Sequence, residues 1–152
     1  MLSKKAKYAV KALLALAEHE GTEPVRIADL AAQHQIPKKF LESILLSFRN
    51  HGLLHSRKGQ GGGYLLARDA REIYLGQIVR MFDGPLAPVP CASQTAYMRC
   101  ADCQDEASCG VRLAMRDVRD ATARILDQTS LAALVRRVER VRVPGSGGRR
   151  RA

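Results

Sequence analysis

The sequence predicts a mainly α-helical chain with one small β-hairpin. Three observations carry that expectation. Four stretches before residue 84 repeat their apolar residues at helical spacing. A glycine cluster, Gly59-Gln60-Gly61-Gly62-Gly63, sits between two short β-like runs. A longer helical stretch resumes at residues 108–128, after a break in the pattern.

The first helix is expected from Ser3 to His19, with Ala6, Val10, Leu13, Leu14 and Ala17 as its apolar stripe. Ser3 suits the N-cap and Gly21 the stop. After an extended Pro24-Val25-Arg26, a second helix should run from Ile27 to Gln33 with Leu30 and Ala31 inward. Pro37 fits the first turn of a third helix, where its missing N–H costs nothing. That helix places Leu41, Ile44, Leu45 and Phe48 on one face and ends at Asn50-His51-Gly52. Leu53 to Arg57 and Tyr64 to Leu66 read as strands, and the glycines between them suit a tight exposed hairpin. Extended Ile73-Tyr74 leads into a fourth helix, Leu75 to Phe82, stopped by Gly84-Pro85. Three helices, strand, glycine hairpin, strand and helix is the order of a winged helix-turn-helix module over residues 1–84, with Gly59 to Gly63 at the tip of the wing.

Residues 85–107 change character, holding three of six prolines and three of four cysteines without periodicity. Residues 108–138 supply a long helix and a short closing helix at Ser130 to Leu134. Val111, Met115, Val118, Thr122 and Ile125 step by 4, 3, 4 and 3 along the long helix, which is the pattern of a helix–helix seam. Two heptads are too few for a free coiled coil, so the seam is expected in a crossed or antiparallel dimer contact, or else against the chain's own first module. Residues 139–152 read as a flexible basic tail.

The net charge of +10 points to a polyanionic partner: DNA, RNA or an anionic membrane. Part of it is local, since residues 136–152 carry seven Arg against one Glu. No apolar run approaches the ~20 residues of a bilayer span, and the N-terminus lacks the apolar core of a signal peptide. A cytoplasmic protein without a membrane partner is expected. No nucleophile–base pair or paired carboxylates stand in a cleft-forming context, and the glycine run lacks the Lys-Ser/Thr ending of a nucleotide loop, so no enzyme is expected.

In such a module the third helix enters the major groove with its N-terminal residues at the base edges. Here these include Lys38, Lys39, Phe40 and Glu42. The lysines can reach phosphates or guanine acceptors, and Glu42 can accept from a cytosine amino group. A solvated helix start is the plainer reading of the Lys-Lys pair. Lysines there oppose the helix dipole, however, which suits a site that holds an anion. Arg57 and Lys58 can slide into an adjacent minor groove, and Gly61 and Gly62 allow close approach to phosphate.

Cys91, Cys100, Cys103 and Cys109 fall within 19 residues of a chain that otherwise has no cysteine. Such clustering reads as metal or redox chemistry before disulfides. Four thiolates suffice for an iron–sulfur cluster or for a Cys₄ zinc site. A zinc ribbon would want two CxxC pairs, and only Cys100-Ala-Asp-Cys103 is present. Reducible cysteines without metal are the third reading.

The run Gly52-Leu-Leu-His-Ser-Arg-Lys-Gly-Gln-Gly-Gly-Gly-Tyr-Leu-Leu-Ala-Arg-Asp69, preceded by Phe40-Leu-Glu42, resembles the Rrf-type winged helix-turn-helix transcription regulators (IscR/NsrR-like). The likeness starts at Ser3-Lys-Lys-Ala-Lys-Tyr-Ala-Val10 and continues through Ile73 to Val79 and on to Leu131-Ala-Ala-Leu134. It implies a homodimer with crossing long helices, a palindromic duplex DNA target and often an iron–sulfur cluster, [2Fe-2S] or [4Fe-4S]. It implies that Glu42 reads a base, and that Lys58 stands where many members carry a minor-groove arginine. Lys keeps the charge but loses Arg's planar fork. By the same resemblance, Cys91, Cys103 and Cys109 match the family's three cysteines, and Cys100 is additional. Positions that supply a fourth ligand in relatives are here Arg112 and Lys7, neither of them a ligand, so Cys100 becomes the replacement. The expected function is transcription regulation, as a repressor, sensing iron, redox state or nitric oxide. A cofactor-free thiol- or partner-controlled regulator of the same fold is one alternative, and a zinc-bearing interaction adaptor the other.

Overall fold

The structure, a computed structural model, describes residues 2–19 and 23–142. Its elements are α1 (Lys4–Glu18), α2 (Ile27–His34), α3 (Lys38–Asn50), β1 (Leu54–Arg57), β2 (Gly63–Leu66), α4 (Leu75–Asp83), α5 (Gly110–Gln128) and α6 (Leu131–Arg142). The architecture is mainly helical with one two-stranded sheet, as expected.

Ser3 caps α1 by accepting from the Ala6 amide at 3.0 Å. The expected stop, Gly21, lies outside the described residues. The buried face of α1 is Ala6, Ala9, Ala12, Leu13, Ala15 and Leu16, while Val10, Leu14 and Ala17 sit at its margin. Val10, Leu14 and Ala17 still pack against the core, but α3, α4 and α6 meet α1 mainly on its alanine face. On α3, Leu41, Ile44, Leu45 and Phe48 are all buried, and Phe48 meets Phe82 of α4 edge-on at 5.3 Å. Pro37 precedes that helix as its N-cap, one residue earlier than expected. Antiparallel β1 and β2 pair Leu54 with Leu66 and Arg57 with Gly63. Val25 adds a bridge to the outer side of β2, with Val25 and Tyr64 exchanging two backbone hydrogen bonds of 2.9 Å.

The closing helix is longer than expected and runs to Arg142. Val135 and Val138 prolong its apolar face, and Arg142 reaches Glu18 at 3.2 Å. Leu131 joins the same core as Leu13 and Phe48, and its amide donates to the Ile73 carbonyl at 2.7 Å. The closing helix therefore packs with the winged module, not with α5. The expected tail lies outside the described residues from residue 143 onward.

Helix α5 leans on α4 and on a 3-10 turn, Pro90–Ala92, that sequence periodicity did not reveal. Arg80 and Asp127 tie α4 to α5 through two bonds of 2.6 and 2.8 Å, a bidentate fork. The carboxylate sits where a side chain on Gly76 would point, 1.8 Å from that Cβ position, so a larger residue there would have to displace the fork. The guanidinium holds the Asp127 pKa below the usual carboxylate value. This contribution is therefore present at neutral pH and is lost as pH falls through the lowered pKa.

No residue of α5 is buried. Met115 and Thr122 turn toward the chain itself, whereas Val111 (66% exposed), Val118 (45%) and Ile125 (64%) face outward. Ala114 and Ala121 lie between them, so the outward stripe is Val111, Ala114, Val118, Ala121 and Ile125. The predicted seam thus divides between two faces.

Candidate nucleic-acid interface and cysteine pocket

Lys38 and Lys39 open α3 and are exposed, and Lys38 lies 3.9 Å from Glu42 one turn later. Both groups are largely solvated, so the pair is worth little in isolation and can be exchanged for contacts with a ligand. Phe40 is 42% exposed, and its ring leans on Tyr8 of α1 at 5.7 Å. It anchors the start of α3 and still offers an edge to solvent.

Arg57 and Lys58 leave β1 at the wing and are exposed. The glycines beyond them answer to internal packing as well as to any ligand. A Cβ on Gly62 would lie 2.3 Å from the Arg57 carbonyl oxygen, and one on Gly63 would lie 2.3 Å from that of Val25. Gly61 meets nothing within 4 Å but has φ +82, which favours glycine. Gly63→Ala is expected to push the wing off the Val25 backbone and lower the melting temperature, which a thermal unfolding scan would read. An unchanged midpoint would contradict the close approach.

Two cations that sequence reasoning missed join this surface. Arg26, just before α2, and Arg49, in the last turn of α3, line one groove with Arg57 and Lys58. Nothing in their spacing along the chain marks them as neighbours.

All four cysteines line a second pocket of about 420 Å³, whose apolar wall includes Val89, Pro90, Met98 and Val111. Cys91 comes from the 3-10 turn, Cys100 and Cys103 from the loop, and Cys109 stands at the N-cap of α5. All are free thiols. Arg112 on α5 donates to the Cys91 carbonyl at 3.0 Å, and Arg119 donates to the Ala92 carbonyl. Two arginines of the long helix therefore hold the Cys91 turn in place. The Cys100 thiol donates to Asp102 at 2.8 Å, and this acceptor raises the thiol pKa. Burial, followed by a hydrogen bond with Cys109, raises that of Cys103. A metal entering here must displace those protons.

The pocket collects the four sulfurs without closing them. Among the described residues, no three His, Cys, Asp or Glu side chains are grouped so as to hold a metal ion. The donor chemistry is still that of an all-cysteine site, since four cysteines line one largely apolar cavity. Arg112 points its guanidinium to carbonyls, with Glu106 as the second acceptor at 3.4 Å, and offers no lone pair.

Three packed helices, a glycine-tipped wing and exposed cations at the start of the third helix define the class: a winged helix-turn-helix DNA-binding regulator. More particularly, the chain belongs to the Rrf2 family, described as iron-dependent transcriptional regulators, whose profile matches residues 2–137. A provisionally named rrf2-like HTH-type transcriptional regulator of Rhodobacter capsulatus is 40% identical over 134 residues, covering 86% of this chain and 89% of the relative. The HTH-type transcriptional regulator IscR of Enterobacter sp. (strain 638) is 32% identical, covering 95% and 85% respectively. Among solved structures, T. potens IscR superposes with a TM-score of 0.75 at 25% identity, covering 96% of this chain and 93% of that one. CymR, the global cysteine regulator of B. subtilis, gives 0.73 at 29% identity, covering 90% and 97%. Members of the family are transcription regulators, not enzymes. No helix among the described residues is long and apolar enough to cross a membrane.

Proposed function

We propose that this regulator is a cytoplasmic homodimer that represses transcription at palindromic operators and senses iron, redox state or nitric oxide through an iron–sulfur cluster on Cys91, Cys100, Cys103 and Cys109. The convergence of all four cysteines on one pocket carries the reading. A bound cluster would supply a redox- and nitric-oxide-reactive centre. The chain's own part is to couple that pocket to DNA. Cys109 stands at the N-cap position of α5, Arg112 and Arg119 hold the Cys91 turn against α5, and the Arg80–Asp127 fork passes any shift of α5 to α4. A ligand that favours one arrangement of these parts shifts DNA affinity by the difference in its binding to the two arrangements.

Anaerobically purified protein is expected to be brown, with iron and acid-labile sulfide near one cluster per subunit. Colourless protein with stoichiometric zinc would defeat the cluster while sparing DNA binding. The resemblance to a cysteine regulator favours the cofactor-free reading as the second, in which the free thiols themselves respond. In that case iron and sulfide are absent and oxidant alone changes DNA affinity.

The DNA part has its own test. Replacing Lys38, Lys39 and Lys58 with Ala should weaken operator binding by at least about a hundredfold, since each such contact is worth roughly 1–3 kcal/mol. A triple variant that binds like the wild type in a fluorescence anisotropy titration would overturn it.

A further inference from the structure

We propose that the groove between the start of α2, the end of α3 and the wing is a socket for one backbone phosphate of duplex DNA, held by Arg26, Arg49 and Arg57, with Lys58 at its wing-side edge. This rests on the DNA-binding reading and adds to it a contact that carries no base information.

The groove has a volume of about 420 Å³, and Ser56 and Tyr64 line it together with the four cations. The cations come from three separate elements, and all four residues are exposed. Among the described residues, the one carboxylate paired with any of them is Glu23, 3.9 Å from Arg57, and that pair is itself largely solvated. Like charges gathered without an internal anion repel one another. An anion seated among them meets several charge-assisted donors at once.

The position suits a phosphate and not a base. With the start of α3 in the major groove and Lys58 in the neighbouring minor groove, the sugar–phosphate ridge between the two grooves must cross the surface between α3 and the wing. Arg49 lies about 15 Å along α3 from Lys39, at the rise of about 1.5 Å per residue. Arg49, in the last turn of α3, therefore stands well away from the N-terminal residues that face the base edges. The socket is also built to hold its spacing. Val25 and Tyr64 exchange backbone hydrogen bonds of 2.9 Å, and the bare Cα of Gly63 lets β2 sit against the residue next to Arg26. The sequence separation of Arg26, Arg49 and Arg57 is thus converted into one fixed cluster.

The test uses the full chain and a duplex that the wild type selects from a randomised pool, with a scrambled duplex beside it. Removing n phosphate contacts lowers the slope of log K against log salt by about 0.9n. For R26A/R49A, which removes one phosphate contact from each subunit of the dimer, the slope is expected to fall by about 1.8 on both duplexes, with the preference for the selected one unchanged. Glu23→Gln removes a competing carboxylate and is expected to tighten both equally. Neutral methylphosphonate linkages placed one at a time should locate a phosphate in each half-site whose loss weakens the wild type but not R26A/R49A. Circular dichroism and thermal melting of R26A/R49A should match the wild type, since both side chains are exposed. An unchanged salt slope in a variant that still folds would overturn the socket alone, as would a change confined to the selected duplex. A wild type that selects and binds no duplex would overturn the DNA reading and the socket together.

Discussion

Replacing Val118 and Ile125 with Glu is expected to leave a folded monomer that binds a palindromic duplex about 10²- to 10⁴-fold more weakly than the wild type. The two side chains are 45% and 64% exposed and lie on a helix with no buried residue. Neither helps hold the chain's own core, so their loss should not unfold it. Facing a second copy, they would place carboxylates opposite carboxylates where apolar side chains should meet. Such like-charge juxtaposition costs several kcal/mol in an interface. The predicted loss of DNA affinity follows from valency. Two linked modules bind adjacent half-sites with an effective concentration that a lone module lacks, commonly worth 10²–10⁴ in avidity. Light scattering would report the mass, and anisotropy on full and half sites the affinity. A variant that remains dimeric would reject the outward stripe as the seam. A monomer with undiminished affinity for the full site would reject the bivalent mechanism.

Phe48→Ala should act on stability instead. Phe48 is completely buried near the end of α3, and its ring meets Phe82 of α4 edge-on. Truncating a buried Phe costs about 3–5 kcal/mol, through lost burial and the cavity left behind. Domains of this size are stable by only about 5–15 kcal/mol. The urea midpoint should therefore fall far, with the m-value kept if unfolding stays two-state. DNA affinity of the fraction still folded should fall less than in the triple lysine variant, because Phe48 is buried while Lys38, Lys39 and Lys58 are exposed. A midpoint within experimental error of the wild type would mean that this part of the core is not packed as described.

The two substitutions probe different parts of the chain, and these differ in how far they could be read in advance. The buried face of α3 was legible because Leu41, Ile44, Leu45 and Phe48 obey one helical period, while Phe40 and Leu46 do not form a second stripe. The wing was legible from its glycines and flanking strands. The reason for Gly62 and Gly63 was not, since the atoms they must avoid belong to the backbone of Arg57 and Val25. On α5 the period was correct and the face was mixed. Met115 and Thr122 satisfy the heptad as well as Ala114 and Ala121 do, and only the position of α4 and the Cys91 turn decides which pair turns inward. The closing helix was cut short because charged Arg136 and Arg137 looked like the start of a tail, whereas Val135 and Val138 continue its apolar face.

The cysteines show the same division. Their number and clustering in the chain mark a site for soft-metal or thiol chemistry before any coordinate is known. The spacing of eight, two and five residues does not say that all four reach one cavity. Arg112 illustrates what is added. In sequence it is a non-ligand at a position of interest; in the structure it ties the Cys91 carbonyl to the long helix.

By itself, then, the sequence determined the class of protein, the order of its elements, the face of α3, the glycine-tipped wing and the four-cysteine cluster. These are local matters of period, turn chemistry and composition, acting over a few residues at a time. Tertiary structure alone decided the face of α5 left outward, the lining of one pocket by all four cysteines and the meeting of Arg26, Arg49, Arg57 and Lys58 in one groove. Each depends on the distance between residues far apart in the chain, and that distance is set by how helices and wing pack, which no local pattern encodes.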